Sequence, residues 1–197
     1  EGLSLSYGGR TVCAGLTFTL RPGERMAVTG PNGCGKSTLL KKLCGQDVAA
    51  CGTLALGAGL IVSYVPQDAS FLHGGARDYA RNAGVDETMF LTLLRKLGFE
   101  RVQFEKDMSD YSAGQKKKVL LARSLCESAH LYLWDEPLNY IDVLSRMQIE
   151  QLLLDYRPTM LFVEHDAAFV RLFAFHRRQQ CVHNLPSFPS ESVDTAH

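Results

Sequence analysis

A glycine-rich segment between two apolar stretches constrains this chain more than any other part of its sequence. Residues 30–38 read GPNGCGKST and match the pattern G-x-x-x-x-G-K-[ST] at every fixed position. Residues 25–29 before the segment predict a buried strand, and residues 37–43 after it predict a helix that ends at Gly45. The order of strand, glycine-rich loop and helix predicts a phosphate-binding loop.

The residue types in this loop suit an anion that carries several phosphates. Glycine has no Cβ, so the backbone can pass close to phosphate oxygens, while loop N–H groups and the helix N-terminus face the anion. Lys36 offers a positive charge to the β- and γ-phosphates, and Ser37 offers a hydroxyl to Mg²⁺. The thiol of Cys34 is interpreted as incidental. The alternative is a glycine-rich turn with an unrelated lysine. The residues expected to bind phosphate are Gly30, Asn32, Gly33, Cys34, Gly35, Lys36, Ser37 and Thr38.

Length and composition predict one soluble α/β domain. The chain has 197 residues, of which 46% are hydrophobic and 21% charged. Lys plus Arg equal Asp plus Glu, 21 against 21, so composition gives no support to a surface that coats nucleic acid. No apolar run approaches the roughly 20 residues of a membrane span, and six cysteines without a C-x-x-C pair favour reduced thiols. We therefore expect a cytoplasmic protein without direct membrane insertion, and, because the first residue is Glu1, a piece of a longer chain.

Short strands are predicted near the start of the chain. Residues 1–7 and 16–20 alternate apolar and polar types and predict a small β layer, and residues 53–56 and 60–65 predict two more strands before Pro66 and Gln67. Tyr7 ends the first strand, where its ring either stacks on a base or is a partly buried strand-end residue. Both interpretations stay open.

The block from Gln67 to Tyr111 is predicted to be a helical insert. Residues 68–84 look irregular, and a helix capped by Asp86 is expected to run to Leu97. Another helix follows, capped by Ser112. Its three lysines, residues 116–118, are interpreted as a solvated face, and the alternative is a specific contact.

Two later strands carry acidic residues at their ends. Residues 130–134 lead into Asp135 and Glu136, and residues 159–163 lead into Glu164-His165-Asp166. Alternating strands and helices imply a mostly parallel sheet, with ligand sites at the C-terminal strand ends. There Asp135 could hold Mg²⁺, Glu136 could orient or deprotonate an attacking water, and His165 could reach the γ-phosphate. The alternatives are an acidic strand-to-loop junction and a structural histidine. Residues 176–197 are expected to be a loose tail.

The order of these motifs resembles that of the ATP-binding-cassette (ABC) ATPase domain. The resemblance covers about residues 1–175 and implies a P-loop NTPase core with a mostly parallel sheet, an N-terminal antiparallel β layer and a short helical subdomain at about residues 68–127. It also implies ATP and Mg²⁺ as ligands. The motifs that carry it are Gly30–Thr38, Gln67, Ser112–Gln115, Leu131–Glu136, Asp142 and His165.

The resemblance implies a role for each matched residue. Tyr7 looks like the adenine-stacking aromatic, and Gln67 like the glutamine that senses Mg²⁺ and the γ-phosphate. Glu136 resembles the catalytic base and His165 the switch histidine, which act with Lys36. The metal ligands implied are Ser37, Gln67 and Asp135.

The signature segment implies a partner domain. Ser112, Gly114 and Gln115 match residues that contact ATP held by a second ABC domain in a head-to-tail pair, and Asp142 matches the loop that crosses that interface. Ala113 departs from the family, which usually has glycine there.

A finer resemblance is to the soluble ABC-F branch. The run from Glu136 to Asp142, EPLNYID, has Asn139 where membrane transporters usually have serine. Residues 112–121, Trp134 and residues 162–166 resemble the second domain of antibiotic-resistance ABC-F proteins, which join two ATPase domains by a helical linker and act on ribosomes. The alternative is the ATPase subunit of a membrane transporter. A P-loop enzyme of unrelated chemistry, such as a kinase, disagrees with the signature.

Overall fold

The computed structural model describes residues 1–174, which contain strands and helices in alternation. The strands are Leu3–Tyr7 (β1), Arg10–Leu16 (β2), Arg25–Val28 (β3), Ala49–Cys51 (β4), Val62–Val65 (β5), Leu131–Asp135 (β6) and Met160–Val163 (β7). The helices are Lys36–Leu43 (α1), Ala76–Asn82 (α2), Glu87–Lys96 (α3), Ala113–Cys126 (α4), Val143–Tyr156 (α5) and Ala167–Phe173 (α6). Two 3-10 turns, Arg101–Glu105 and Met108–Asp110, lie between α3 and α4.

Two sheets share the strands. The parallel sheet has the order β3-β7-β6-β5, and the antiparallel sheet has the order β2-β1-β4. Because parallel strands end at the same edge, the loops after β3, β5, β6 and β7 converge there. The expected α/β fold, with a mostly parallel core, an N-terminal antiparallel layer and a short helical insert, is confirmed.

The parallel sheet is covered on both faces. Trp134 and Phe162 point to a cluster that contains the insert helices, whereas Leu133 and Leu161, their neighbours in sequence, point to a second cluster with α1 and the antiparallel sheet. Because successive side chains of a strand point to opposite faces of the sheet, each strand contributes to both hydrophobic cores.

Three polar side chains are joined by hydrogen bonds inside the first of these cores. The Trp134 indole Nε1–H donates to Ser124 Oγ at 2.9 Å, and the Ser124 and Ser63 hydroxyls share a hydrogen bond of 2.6 Å. All three residues are buried, so the bonds tie α4 to β5 and β6 with their polar groups satisfied.

The boundaries of several elements differ from expectation. Residues 53–56 form no strand, and their leucines are exposed; the third antiparallel strand is β4, just before Gly52 turns the chain with a φ of 95°. Residues 16–20 are strand only at Leu16. The region expected to be irregular contains α2, whose buried face consists of Ala76 and Ala80, residues too small to give a strong apolar pattern.

The helix caps predicted at Asp86 and Ser112 are confirmed, and Asp166 is a third cap. Asp86, Ser112 and Asp166 each accept a hydrogen bond from a backbone N–H in the first turn of α3, α4 and α6. Among the described residues, no helix combines the length and apolarity needed to cross a membrane.

Candidate functional site

The glycine-rich loop joins β3 to α1 at the convergent edge of the parallel sheet. Gly35 is the N-cap of α1 with a φ of 90°, and a Cβ there would come within 3.0 Å of the Val12 carbonyl oxygen on β2. Glycine is therefore required by packing against the antiparallel sheet as well as by backbone conformation. Cys34 is buried in the second core with Cys13, which agrees with a structural rather than reactive thiol.

Lys36 is held inside this loop. Its side chain is largely buried, and Nζ donates to the carbonyl oxygens of Gly30 and Pro31, both at 2.9 Å. The ammonium thus lies at the loop backbone, where phosphate oxygens could replace the two carbonyls as acceptors.

Asp135 ends β6 beside Ser37. Its carboxyl is buried, and burial raises its pKa, while the nearby Ser37 hydroxyl acts in the opposite direction. One carboxylate oxygen, Oδ1, is buried without a hydrogen-bond partner in the described structure. A buried carboxylate with a free oxygen, next to a hydroxyl, fits Mg²⁺, which commonly takes one or two carboxylates and fills its shell with water and substrate phosphates.

Glu136 is the centre of a second group of side chains. Gln67 Nε2 donates to Glu136 Oε2 at 2.8 Å, and Asn139 Nδ2 donates to the same oxygen. His165 Nε2 lies 3.4 Å from Glu136 Oε1. The Glu136 backbone has a φ of 47°, a left-handed conformation that is uncommon outside glycine and often marks functional sites.

Glu164 was not identified as a site residue from sequence. It is buried, and Oε1 accepts hydrogen bonds from the backbone N–H groups of His165 (2.7 Å) and Asp166 (3.2 Å). Oε2 accepts from the Leu138 N–H at 3.3 Å. Glu164 therefore fixes the loop after β7 against the loop after β6, which holds His165 close to Glu136. The signal was present, since Glu164 follows a buried strand as Asp135 does.

The interpretation of residues 116–118 as a solvated face is wrong for two of the three lysines. Lys117 is 2% exposed, and Lys118 Nζ bonds the Leu97 carbonyl (2.7 Å) and pairs with Asp142 (2.6 Å). Burial lowers the pKa of Lys117 to about 8, although nearby carboxylates, Asp135 first among them, oppose the shift. The reason is helical geometry: residue 117 falls on the buried face of α4 with residues 120, 121 and 124.

The signature residues make their contacts within this domain. Ser112 and Gln115 form a reciprocal capping box at the start of α4. Gly114 lies so close to the Tyr140 carbonyl that an added Cβ would collide with it. Asp142 caps α5 through the Ser145 N–H, and the hydrogen bond from Lys118 holds the pKa of the Asp142 carboxyl well below its usual range.

The predicted site residues fall into two groups: those at the convergent edge of the parallel sheet, and the signature residues together with Asp142. Gln67, Glu136 and His165 meet directly, and Ser37 meets Asp135. Within residues 1–174, no hydrogen bond or ion pair joins Ser112, Gln115 or Asp142 to those side chains. The Tyr7 backbone ends β1 as expected.

This chain is similar in sequence to proteins of known families. The family model described as ABC transporter matches residues 13–139. The chain is 31% identical over 179 residues to the ATP-binding protein Uup of Caulobacter vibrioides and 31% identical over 175 residues to the ribosome protection protein VmlR of Bacillus subtilis, covering 86% of this chain in both alignments. It is 35% identical over 174 residues to the zinc import ATP-binding protein ZnuC of Ruegeria pomeroyi, with 84% of this chain and 68% of ZnuC covered.

Solved structures share the fold. The archaeal ribosome recycling factor aABCE1 matches with a TM-score of 0.67 and 26% identity, over 87% of this chain and 34% of that chain. The ATP-binding subunit of an ABC transporter matches with a TM-score of 0.68 and 23% identity, over 88% of this chain and 83% of that chain. The chain spans only 29% of the length of Uup and 31% of VmlR. The family match over the loop, insert and acidic strand end shows that the chain belongs to the ABC transporter family, as an ATP-binding domain.

Proposed function

We propose that this domain binds MgATP at the convergent edge of the parallel sheet and hydrolyses it. The observation that carries the proposal is the buried, unpartnered Asp135 Oδ1 beside Ser37, adjacent to the loop that holds Lys36. The backbone of residues 30–38 binds the phosphates, and the Lys36 ammonium exchanges its two carbonyl acceptors for phosphate oxygens. The Tyr7 ring stacks on adenine.

Ser37, Asp135 and Gln67 would hold Mg²⁺. When bound, the ion neutralises charge on the β- and γ-phosphates. Asp135 supplies a buried carboxylate there, as expected for an ion whose remaining ligands are water and substrate. None of the described residues forms a cluster of three His, Cys, Asp or Glu side chains that could hold a metal by itself.

Glu136 is the general base of the proposed reaction. It accepts a proton from the water that attacks the γ-phosphorus, and the bond to the bridging oxygen of ADP breaks. Gln67 and Asn139 orient the carboxylate by donating to Oε2, which leaves Oε1 facing His165. His165 is more than half exposed, so it can turn between Glu136 and a γ-phosphate.

Lys36→Ala tests the binding site. Loss of a charged donor should weaken MgATP binding by about 1.5–3 kcal/mol and leave the fold nearly intact. Calorimetry measures the affinity, and Lys106→Ala, which removes an exposed lysine from the insert, is the matched control. Equal affinities of the folded Lys36→Ala and Lys106→Ala proteins would contradict the assignment.

We further propose that two ABC domains share each site. Ser112, Gly114, Gln115 and Asp142 then serve the nucleotide of a second domain placed head to tail, which is consistent with their separation from the Glu136 group. Under this proposal the isolated chain binds ATP but hydrolyses it slowly, with a rate per molecule that rises with protein concentration. Glu136→Gln should keep ATP bound and abolish turnover. Full turnover at low concentration, independent of concentration, would refute the shared site.

The parent protein is proposed to be an ABC-F ATPase that acts on the ribosome in the cytosol. Support comes from the similarity to VmlR and aABCE1, which are named as ribosome protection and ribosome recycling proteins, and from Asn139, whose amide reaches Glu136. The similarity to ZnuC supports the alternative, a transporter ATPase subunit. Lys117 is buried, so contact with ribosomal RNA would come from the linker or from local patches that include the partly exposed Lys116 and Lys118.

Ribosome pelleting distinguishes the two candidates. The full-length protein with Glu136→Gln is incubated with ribosomes and ATP and centrifuged through sucrose at two salt concentrations. ATP should bring it into the ribosome pellet by closing the two domains, and higher salt should weaken contacts to phosphates. Retention in the supernatant at both salts, together with co-fractionation with a membrane partner in cells, would favour the transporter.

A further inference from the structure

Lys117 is a buried lysine whose ammonium, within residues 1–174, binds main-chain carbonyls and no side chain. Nζ donates to the carbonyl oxygens of Pro66 (2.9 Å), Gln67 (3.1 Å) and Asp135 (3.1 Å), so its three protons meet three acceptors. No carboxylate within the described residues forms an ion pair with it. A charge in such a place is costly to bury, and an apolar side chain of the same volume often gives equal or better stability.

The three carbonyls belong to the two segments that carry the site. Pro66 and Gln67 follow β5, and Asp135 ends β6 immediately before Glu136. Gln67 in turn donates from its side chain to Glu136. Lys117 itself comes from the second turn of α4, the helix that begins at Ser112.

One side chain therefore links the start of α4 to the backbone of both segments. A shift or rotation of α4 cannot leave Gln67 and Asp135 in place unless these three hydrogen bonds break. Lys116 and Lys118 flank it on the same helix but make other contacts or none: Lys118 bonds Leu97 and Asp142.

We propose that Lys117 is a positioning residue that holds the main chain of Gln67 and Asp135 in register with α4, and thereby sets the Mg²⁺-dependent part of ATP binding. The inference rests on the proposed function, since it assigns Lys117 an effect on the proposed MgATP site. It acts through the backbone and touches neither nucleotide nor metal. Partners that orient metal ligands indirectly typically change metal affinity or activity by about 10–100-fold when removed.

The test measures ATP affinity of the 197-residue chain by calorimetry, once with Mg²⁺ and once with EDTA. The variants are Lys117→Met, which keeps side-chain volume but removes all three donors, Gln67→Ala, and the double variant. Lys116→Met, a partly exposed neighbour, is the matched control. We expect Lys117→Met to weaken binding about tenfold with Mg²⁺ and by less than about twofold with EDTA, and Lys116→Met to change neither.

The double variant separates positioning from general damage. If Lys117 acts through Gln67 as well as Asp135, the double variant loses less affinity than the product of the two single losses, because coupled residues are not additive. Multiplied losses, equal losses in EDTA, or a Lys117→Met affinity equal to that of Lys116→Met would each overturn the inference. If Lys117→Met does not fold, Lys117→Arg replaces it in the same comparison, because it keeps a buried cation but cannot converge on three carbonyls. A wild-type chain that binds no ATP with or without Mg²⁺ would instead overturn the proposed function.

Discussion

Gly114 lies in the first turn of α4 against the backbone of the loop before α5. A Cβ on Gly114 would approach the Tyr140 carbonyl oxygen to well under 3.0 Å, a separation that real Cβ atoms do not show. The obstacle is backbone, in a residue that is itself in a left-handed conformation with a φ of 65°, so it cannot swing aside as a flexible side chain would. Gly114→Ala should therefore separate α4 from this loop.

The magnitude follows from two opposing terms. In an unobstructed helix, Gly→Ala stabilises by about 1 kcal/mol. To restore an ordinary contact, the carbonyl has to retreat by about 1 Å, and overpacking of this kind costs roughly 1–3 kcal/mol, occasionally more. The cost of crowding exceeds the gain in helix propensity over most of this range, so we expect Gly114→Ala to lower the free energy of unfolding by about 1 kcal/mol. Helix propensity alone predicts the opposite, a gain of about 1 kcal/mol.

Urea unfolding of the 197-residue chain measures this loss. Gly57→Ala is the matched control, because a Cβ there meets nothing within 4 Å, and it should be neutral or slightly stabilising. ATP affinity should stay unchanged in both variants if the signature serves only a second domain. A Gly114→Ala protein that is more stable than wild type by about 1 kcal/mol would refute the contact with Tyr140.

Three further predictions concern stability and thiol chemistry. Ser124→Ala leaves the buried Trp134 indole N–H without its acceptor and should cost about 1–3 kcal/mol in urea unfolding, more than the same change at an exposed serine. The pKa of Asp142 in the folded protein is far below its unfolded value, so its contribution to stability is present above about pH 4 and is lost as the pH falls. Asp142→Asn should therefore flatten the decline of the urea midpoint between about pH 5 and pH 2. An unchanged slope would contradict the pairing of Asp142 with Lys118. Burial raises the pKa of Cys13 to about 11, so a maleimide at neutral pH should modify the exposed Cys51 and spare Cys13 in native protein, as mass spectrometry of the peptides can show.

The strand pattern predicted that Glu136 and His165 lie at the same sheet edge, because order along the chain implies position in a parallel sheet. Gln67, Glu136 and His165 lie far apart in sequence, yet each follows a strand of that sheet, and strand ends meet at one edge. Their convergence follows from the strand pattern and its direction, whereas the role of Gln67 comes from the family resemblance and its hydrogen bond to Glu136 was not predicted.

Other features depend on packing that local sequence signals only weakly. The three consecutive lysines look alike, and only the period of α4, which places Lys117 in line with Leu120, Leu121 and Ser124, distinguishes the buried one. Helix α2 buries only two alanines, so its apolar pattern was too faint to predict it. The collision of a Cβ on Gly114 depends on the left-handed backbone at Tyr140, and no residue type in that loop predicts this conformation.

The alternation of β7 between two cores limits how this segment can change in length. Met160 and Phe162 face one core, and Leu161 and Val163 face the other. Deleting or inserting a single residue within β7 would exchange these faces. The same change would reverse the directions of the Glu164 and His165 side chains that follow. Substitutions of similar size are tolerable at each position, but a one-residue change of length affects both cores and the site together. We expect that libraries of single-codon deletions across residues 160–163 yield no folded protein, whereas deletions across the exposed residues 53–57 do.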